Sequence, residues 1–128
     1  METKICTSIE QSKKLIELGF DKNTADMIYI KSFKNDLAVI DNKVTYDEED
    51  TPAWSLKALL ESAPKYFSEL NHQFVQTIQY DHIMRLYYFI YRDYQHGGRS
   101  KTASKNEDLL NGAYEMIVWL YKNGYMNK

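Results

Sequence analysis

The sequence is poor in cysteine and in long apolar runs. Cys6 is the only cysteine among 128 residues. This excludes an internal disulfide and a thiolate metal cluster, and it fits a reducing compartment. No segment approaches the roughly 18 apolar residues that span a bilayer, and residues 1–19 lack the apolar core of a signal peptide. We therefore expect a cytoplasmic protein.

The chain also lacks an excess of charge of either sign. Its 16 Lys and Arg residues and 18 Asp and Glu residues give a net charge of −2. The isoelectric point is near 5.9. Such a balance argues against a dedicated nucleic-acid coat or a membrane-surface protein, although it leaves room for a local basic patch.

Motifs that carry chemistry are missing as well. Gly97 and Gly98 have neither the GxGxxG nor the GxxxxGK[ST] spacing of phosphate-binding loops. The acidic run 47–50 lacks the glycine-punctuated spacing of a calcium loop. His72, His82 and His96 fall in predicted loops or turns without an HExxH or triad-like context. We expect no catalytic, cofactor-binding or metal-binding residues, no cofactor, and a protein that is not an enzyme.

Cys6 lies just before the first predicted helix, where a helix dipole can lower a thiol pKa. No second cysteine or paired histidine accompanies it in the sequence. A small, partly buried residue beside the helix cap is the favoured interpretation, with a reactive thiol as the alternative.

Aromatic residues are abundant in one stretch, HIMRLYYFIYRDY at positions 82–94, in a chain with 11 tyrosines. Aromatic and branched residues at successive positions favour an extended strand packed on both faces. One face would carry Leu86, Tyr88 and Ile90, and the other would carry Tyr87, Phe89 and Tyr91. Helices must cover each face, unless one face is a binding surface.

The periodicity predicts a single α+β domain over residues 1–128, with a mainly antiparallel sheet and about three packing helices. The predicted helices are 8–18, 55–63 and 107–123, and the predicted strands are 27–33, 37–46, 74–80 and 84–92. The simplest topology is one hairpin-on-hairpin sheet with helices packed against it, its strand order being open. Segments 65–71 and 95–105 are predicted loops, the second of them mobile.

Local signals define the helix ends. Thr7 and Glu10 have the spacing of a capping box, and Gly19 is typical of a left-handed helix stop. Asn106 is the predicted N-cap of the last helix. Trp54 and Trp119 lie beside or within leucine-rich helices, so we expect both to be mostly buried.

Three stretches together resemble a group of small proteins from gut-dwelling anaerobic bacteria and their phages and mobile elements. They are CTSIEQSKKLIELGFDKNTADM near the start, PAWSLKALL in the middle and GAYEMIVWLYKNGYMNK at the end. The resemblance covers about half of the chain, and it transfers no functional residue because no activity is assigned to the group. It implies an accessory gene product.

The leading functional hypothesis is a non-enzymatic protein-interaction module. The last predicted helix has an inner row and a second apolar row, which exceeds the single stripe that a helix on a sheet normally buries. The inner row is Leu109, Ala113, Met116, Ile117 and Leu120, and the second is Leu110, Tyr114, Val118 and Tyr121. Another helix of the chain could cover the second row. Alternatively, Tyr114, Val118 and Tyr121 form a candidate surface for a protein partner or a second copy.

The alternative hypothesis is a small nucleic-acid-binding factor. Basic side chains beside the tyrosines of the central strand suit a single strand, whose bases stack and whose phosphates need neutralising. The candidate contacts are Arg92, Arg99, Lys101 and Lys105. Against this hypothesis, Asp93, Glu107 and Asp108 flank the segment, and a lysine-rich loop also serves solubility. No membrane partner and no small-molecule ligand is indicated.

Overall fold

In a computed structural model, the described residues form an α+β fold of three α-helices, a short 3-10 helix at Lys22–Thr24 and two antiparallel sheets. The structure describes residues 5–31, 36–39 (main chain only), 50–94 and 99–126. The helices are α1 (Ile9–Leu18), α2 (Leu56–Ser62) and α3 (Leu109–Lys122). The strands are β1 (Met27–Ile30), β2 (Asp36–Val39), β3 (Thr51–Ala53), β4 (Tyr66–Glu69), β5 (His72–Asp81), β6 (Leu86–Asp93) and β7 (Ser100–Asn106).

Helix α1 begins with a capping box one residue later than the sequence predicted. Ser8 Oγ accepts a 3.1 Å hydrogen bond from the Gln11 amide, and Gln11 Oε1 accepts one of 3.0 Å from the Ser8 amide. The Thr7 and Glu10 prediction is therefore wrong, because Thr7 is fully buried and its hydroxyl is used elsewhere. The predicted stop is confirmed: Gly19 has φ of 103° and the Phe20 amide donates to the Leu15 carbonyl at 2.9 Å.

The smaller sheet has the order β2-β1-β3. Trp54, just after β3, is fully buried as predicted. Its main-chain amide donates to Thr7 Oγ1 at 3.1 Å and its indole N–H to Thr24 Oγ1 at 2.9 Å. Thr7, whose hydroxyl also lies 2.8 Å from Ser12 Oγ, thus links α1 to this sheet. A buried indole whose N–H is satisfied adds apolar burial without an unpaired polar atom.

The larger sheet is a meander with the order β4-β5-β6-β7. One of its faces, which we call the helix face, carries Phe74, Phe89 and Tyr91, and these residues join the buried cluster that the helices build. The opposite face carries Tyr88 and Arg92, and we call it the open face. The antiparallel pairing of the two predicted long strands, β5 and β6, is confirmed, with Phe74 opposite Asp93 and Asp81 opposite Leu86.

Helix α3 lies on β6 and β7, and α1 and α2 pack against α3. Four of the five predicted inner-row residues of α3 are buried, and Leu110 is buried in addition. Leu109 is only partly buried, and so is Trp119, which packs on the outside of the cluster. The close approach of α3 to the sheet depends on Gly112, because a β-carbon there would lie 2.4 Å from the Phe89 ring.

Several predicted elements need correction. The predicted strands form two sheets and not one, because β1 pairs with β2 and β3 while β5 and β6 pair with β4 and β7. Within predicted strand 27–33, β1 ends at Ile30. Only 37–39 of the second predicted strand, 37–46, lies in the described residues, where it belongs to β2. The acidic run 47–50 lies outside the described residues except for Asp50. Strand β6 begins at Leu86. Residues 84 and 85, the first two of the predicted strand 84–92, belong instead to a turn at residues 82–85.

Two predicted loops contain strands. In segment 65–71, β4 pairs with β5 through a two-residue turn at Leu70 and Asn71, whose φ values of 50° and 67° suit a hairpin turn. In segment 95–105, residues from Ser100 onward form β7, and 95–98 lie outside the described residues. The last helix is capped by Asp108, which accepts from the Asn111 amide at 2.8 Å, and not by Asn106, which ends β7.

Candidate interaction surface

The second apolar row of α3 is partly covered within the chain. Tyr114, Val118 and Tyr121 are each half-buried. The Tyr121 ring meets Phe20, next to the end of α1, edge-on at 6.3 Å, and burial raises the pKa of both Tyr114 and Tyr121. The residue that follows the C-cap of α1 thus covers part of this row. Contact of this row with a partner stays a prediction.

The four basic residues proposed for nucleic acid do not form one loop. Arg92 lies in β6 opposite Ser100 of β7, and Lys105 lies opposite Tyr88, so both belong to the open face. Lys101 lies opposite Tyr91 on the helix face, and with Arg99 it lines a cleft at that end of the sheet. The sequence placed these residues together only because it did not reveal β7. The structure divides them between the two faces.

Lys101 is engaged by its neighbours. Its ammonium lies 3.1 Å from Glu69 Oε1 and 5.3 Å from the centre of the Phe74 ring. The hydrogen bond to Glu69 is the main reason that the pKa of Lys101 is raised. The Tyr125 hydroxyl donates to the other Glu69 oxygen at 2.7 Å. This lysine therefore joins β7 to the end of β4, which makes it a weaker candidate for phosphate contact than Arg92 or Lys105.

One histidine has a defined partner that the sequence did not reveal. His72 lies at the start of β5 and not in a loop, and its Nδ1 is 2.7 Å from Oδ2 of the fully buried Asp93. A carboxylate on Nδ1 orients an imidazole ring. Because the two residues lie on adjacent strands, the contact also ties the start of β5 to the end of β6. His82 lies in the turn after β5, and His96 lies outside the described residues.

Four of the large apolar side chains that are exposed among the described residues lie toward the far end of the β5–β6 hairpin. Ile83 is 92% exposed, Met84 61%, and Ile78 and Tyr80 40% each. We call these four residues the hairpin tip. The Tyr80 ring packs against Tyr87 at 4.6 Å, so the tip continues into the aromatic surface of β6.

The turn that presents the hairpin tip is ordered by Asp81. Its Oδ1 accepts from the amides of Ile83 at 2.9 Å and Met84 at 3.1 Å, and its carbonyl accepts from the Arg85 amide at 2.7 Å. Arg85 closes the turn in the left-handed region with φ of 56°. Hydrogen bonds from a side-chain oxygen to the following amides are typical of a fixed Asx turn. Two large apolar side chains are thus held outward by an ordered main chain.

Cys6 does not have the surroundings of a reactive thiol. It is 4% exposed, and its Sγ lies 3.5 Å from the Tyr29 hydroxyl. Burial is the largest cause of a raised pKa for this thiol. A raised pKa lowers the thiolate fraction at neutral pH, which fits the interpretation of Cys6 as a packed residue.

Across residues 5–31, 50–94 and 99–126, no three His, Cys, Asp or Glu side chains are placed to hold a metal ion. None of the helices that the structure describes is long and apolar enough to cross a bilayer. Comparisons with models of protein families, with curated proteins and with solved structures return no match for the chain.

The sequence predicted the hairpin but not its tip. The sequence predicts a tight link at Asp81 and His82 and a strand that begins at Met84, and it does not predict that Ile83 and Met84 project from the sheet. The sequence carried little signal for this exposure, because Ile83 and Met84 also suit the start of an apolar strand.

Proposed function

We propose that the chain is a non-enzymatic protein-interaction module that binds its partner through the hairpin tip. The observation that carries this proposal is the exposure of four large apolar side chains at one end of one hairpin, with Ile83 exposed over 92% of its surface and Met84 over 61%. A concentrated apolar surface on a small domain marks a contact site more often than isolated exposed residues do.

The ordered turn adds a second physical argument. An interface loses affinity when flexible side chains and loops must be ordered on binding. The hydrogen bonds of Asp81 fix the main chain at Ile83 and Met84 before any partner arrives. Burial of their exposed apolar area then contributes about 25 cal/mol per Å² without the cost of ordering the turn.

The wider role belongs to the same proposal. The resemblance to proteins of gut anaerobes and their phages and mobile elements supports an accessory product whose task is to bind another protein in the cytoplasm. Such a task needs neither a catalytic set nor a cofactor, and a contact site of a few apolar anchors on a rigid scaffold is enough for it.

Site-specific cross-linking in the native host tests the proposal. A photoreactive amino acid is placed at Ile83 and, as the matched control, at Ile5, which is 63% exposed. We expect a defined cross-linked species from position 83 and none from position 5. Equal products from both positions, or no product from position 83, would contradict binding through the hairpin tip.

The open face supports a second candidate function, binding of single-stranded nucleic acid. Tyr88 lies directly opposite Lys105 of β7 and Gln79 of β5, and Arg92 donates to Gln79 Oε1 at 3.2 Å. An aromatic ring between two cations on one sheet face can stack a base and neutralise the adjoining phosphates.

Fluorescence anisotropy with a labelled single-stranded oligonucleotide tests this candidate. Binding should weaken steeply with salt, and Arg92→Ala should reduce both affinity and the salt slope. Arg99→Ala is the matched control, because Arg99 lines the cleft on the opposite face. Absence of binding at low salt, or equal effects of the two substitutions, would exclude the open face as the site.

A further inference from the structure

Strand β5 is longer than the neighbour that covers its outer edge. It runs from His72 to Asp81, whereas β4 pairs only with its first part, from Glu69 opposite His72 to Tyr66 opposite Val75. One further bond joins the Gln76 amide to the Lys65 carbonyl at 2.8 Å. Beyond it, in the chain that the structure describes, no strand lies on this side of residues 77–81. We call residues 77–81 the free edge.

The register identifies the main-chain groups that the free edge presents. Residues of an antiparallel strand bond alternately to the neighbours on its two sides. Because Gln76 bonds toward β4, Ile78 and Tyr80 direct their N–H and C=O groups to the same side. Gln79 bonds toward β6, where it lies opposite Tyr88. Among the residues that the structure describes, no strand lies opposite the outward main-chain groups of Ile78 and Tyr80, whose side chains are each 40% exposed.

We propose that a second copy of this chain occupies the free edge, with the two β5 strands antiparallel about a two-fold axis at Gln79. In this arrangement the main chain of Ile78 bonds to that of Tyr80 of the second copy, and the symmetry repeats the contact. Ile78 and Tyr80 both direct their main-chain N–H and C=O groups away from β6, as residues in a hydrogen-bonded antiparallel pair must. The larger sheets of the two copies would then form one continuous sheet.

The side chains of the free edge suit this self-pairing. On the helix face, Ile78 would lie opposite Tyr80 of the second copy, an aromatic and branched pair of the kind that stabilises sheets. On the open face, Gln79 would meet its own copy and Thr77 would lie opposite Asp81. No like charges lie opposite each other in this register. Exposed edge strands often carry lysine or proline, which prevent pairing with another chain. Residues 77–81 contain neither.

The inference rests on the proposed function, because Ile78 and Tyr80 belong to the hairpin tip. It names the partner and the form of contact, which is addition of a strand to a sheet edge. Ile83 and Met84 would then flank the paired strands and remain available to the second copy.

Charge substitutions at two positions test the register. Sedimentation of the purified chain should show a dimer at high concentration. Ile78→Lys with Tyr80→Lys places like charges opposite each other in both symmetric pairs, and should weaken dimerisation at least about tenfold. Ile78→Lys with Tyr80→Glu removes the same apolar groups but places opposite charges across the axis, and should dimerise at least about tenfold more tightly than the double lysine variant. Equal dissociation constants for the two variants would overturn the pairing, and thermal melts establish that both fold.

Amide hydrogen exchange supplies a second readout with an internal control. The amides of Ile78 and Tyr80 should exchange rapidly in dilute protein and become protected as concentration rises. The Gln79 amide should be protected throughout because it bonds to β6. A monomer at every concentration, with rapid exchange at Ile78 and Tyr80, would overturn self-pairing. A different protein cross-linked through Ile83 would in that case still leave the proposed function standing.

Discussion

Gly112 and Phe89 lie so close that a β-carbon on the glycine would stand 2.4 Å from the edge of the phenylalanine ring. The Gly112 carbonyl also accepts a 2.6 Å hydrogen bond from the buried Ser104 hydroxyl. A helix-interior glycine costs up to about 1 kcal/mol relative to alanine. Here the glycine allows α3 to rest directly on β6 and β7.

We predict that Gly112→Ala destabilises the chain despite the better helix propensity of alanine. Overpacking typically costs about 1–3 kcal/mol, and propensity offsets up to about 1 kcal/mol of it. The net loss in the free energy of unfolding should be about 1–2 kcal/mol by urea denaturation. In the background of Phe89→Leu, which makes room, the alanine should cost less. A Gly112→Ala variant more stable than the parent would contradict the close approach.

The two tryptophans should differ in their contribution to stability. Trp54 is fully buried with its indole N–H satisfied, whereas Trp119 is partly exposed. Trp54→Ala should cost about 3–5 kcal/mol through lost burial and a cavity. Trp119→Ala should cost clearly less. Chemical denaturation of both variants measures the difference in the free energy of unfolding. A larger loss for Trp119→Ala would contradict the greater burial of Trp54.

Tyr91 should make the fold sensitive to alkaline pH. Burial raises its pKa from 10.0 to about 12, and its hydroxyl donates to the Pro64 carbonyl at 2.7 Å. A raised folded-state pKa gives stability that is complete below the unfolded-state pKa and is lost as pH rises toward the folded-state value. Between about pH 10 and 12, parent stability should therefore fall relative to Tyr91→Phe by roughly 1.4 kcal/mol per pH unit. Parallel stability curves for the two proteins would refute this assignment.

Cys6 should react slowly with thiol reagents. Its burial limits access and raises its pKa, so both the accessible and the thiolate fractions are small at neutral pH. In the folded chain the rate of reaction with a disulfide reagent at pH 7.5 should be at least about tenfold below that in urea. Comparable rates in the two states would indicate an exposed thiol.

The sequence predicted the elements whose side chains repeat with a clear period. Helices α1, α2 and α3 and the pairing of β5 with β6 carry apolar residues at regular spacing, and all were found within two residues of the predicted ends. The stop at Gly19 was found because only a left-handed residue suits that position, which is a local requirement.

Strand β7 shows why the rest was not found. Its sequence, SKTASKN, has no large apolar residue, because α3 lies so close to it that only small side chains such as Ala103 and Ser104 fit underneath. That constraint comes from a helix later in the chain, and no local pattern contains it. Without β7 the basic residues could not be divided between the two faces. The His72 and Asp93 contact was missed for a different reason, because both residues lie just outside the predicted strands 74–80 and 84–92.

The sequence predicted an apolar contact surface, but it did not predict the exposed apolar side chains of the hairpin tip. The apolar excess in the sequence predicts a contact at Tyr114, Val118 and Tyr121, where Phe20 supplies partial cover within the chain. Contact of a partner with that row stays a prediction. The exposure of Ile83 and Met84 depends on where the turn projects beyond the helices, which is a property of the assembled fold.

The affinity of the parent and of Ile83→Ser with Met84→Ser for the protein recovered by cross-linking tests the central claim most directly. Ile5→Ser serves as the control for loss of an exposed apolar side chain elsewhere. If the hairpin tip carries the binding energy, the double variant should bind at least about 100-fold more weakly, as expected for two anchors that each contribute about 1.4 kcal/mol or more. Ile5→Ser should bind like the parent. An unchanged dissociation constant for the folded double variant would contradict the account.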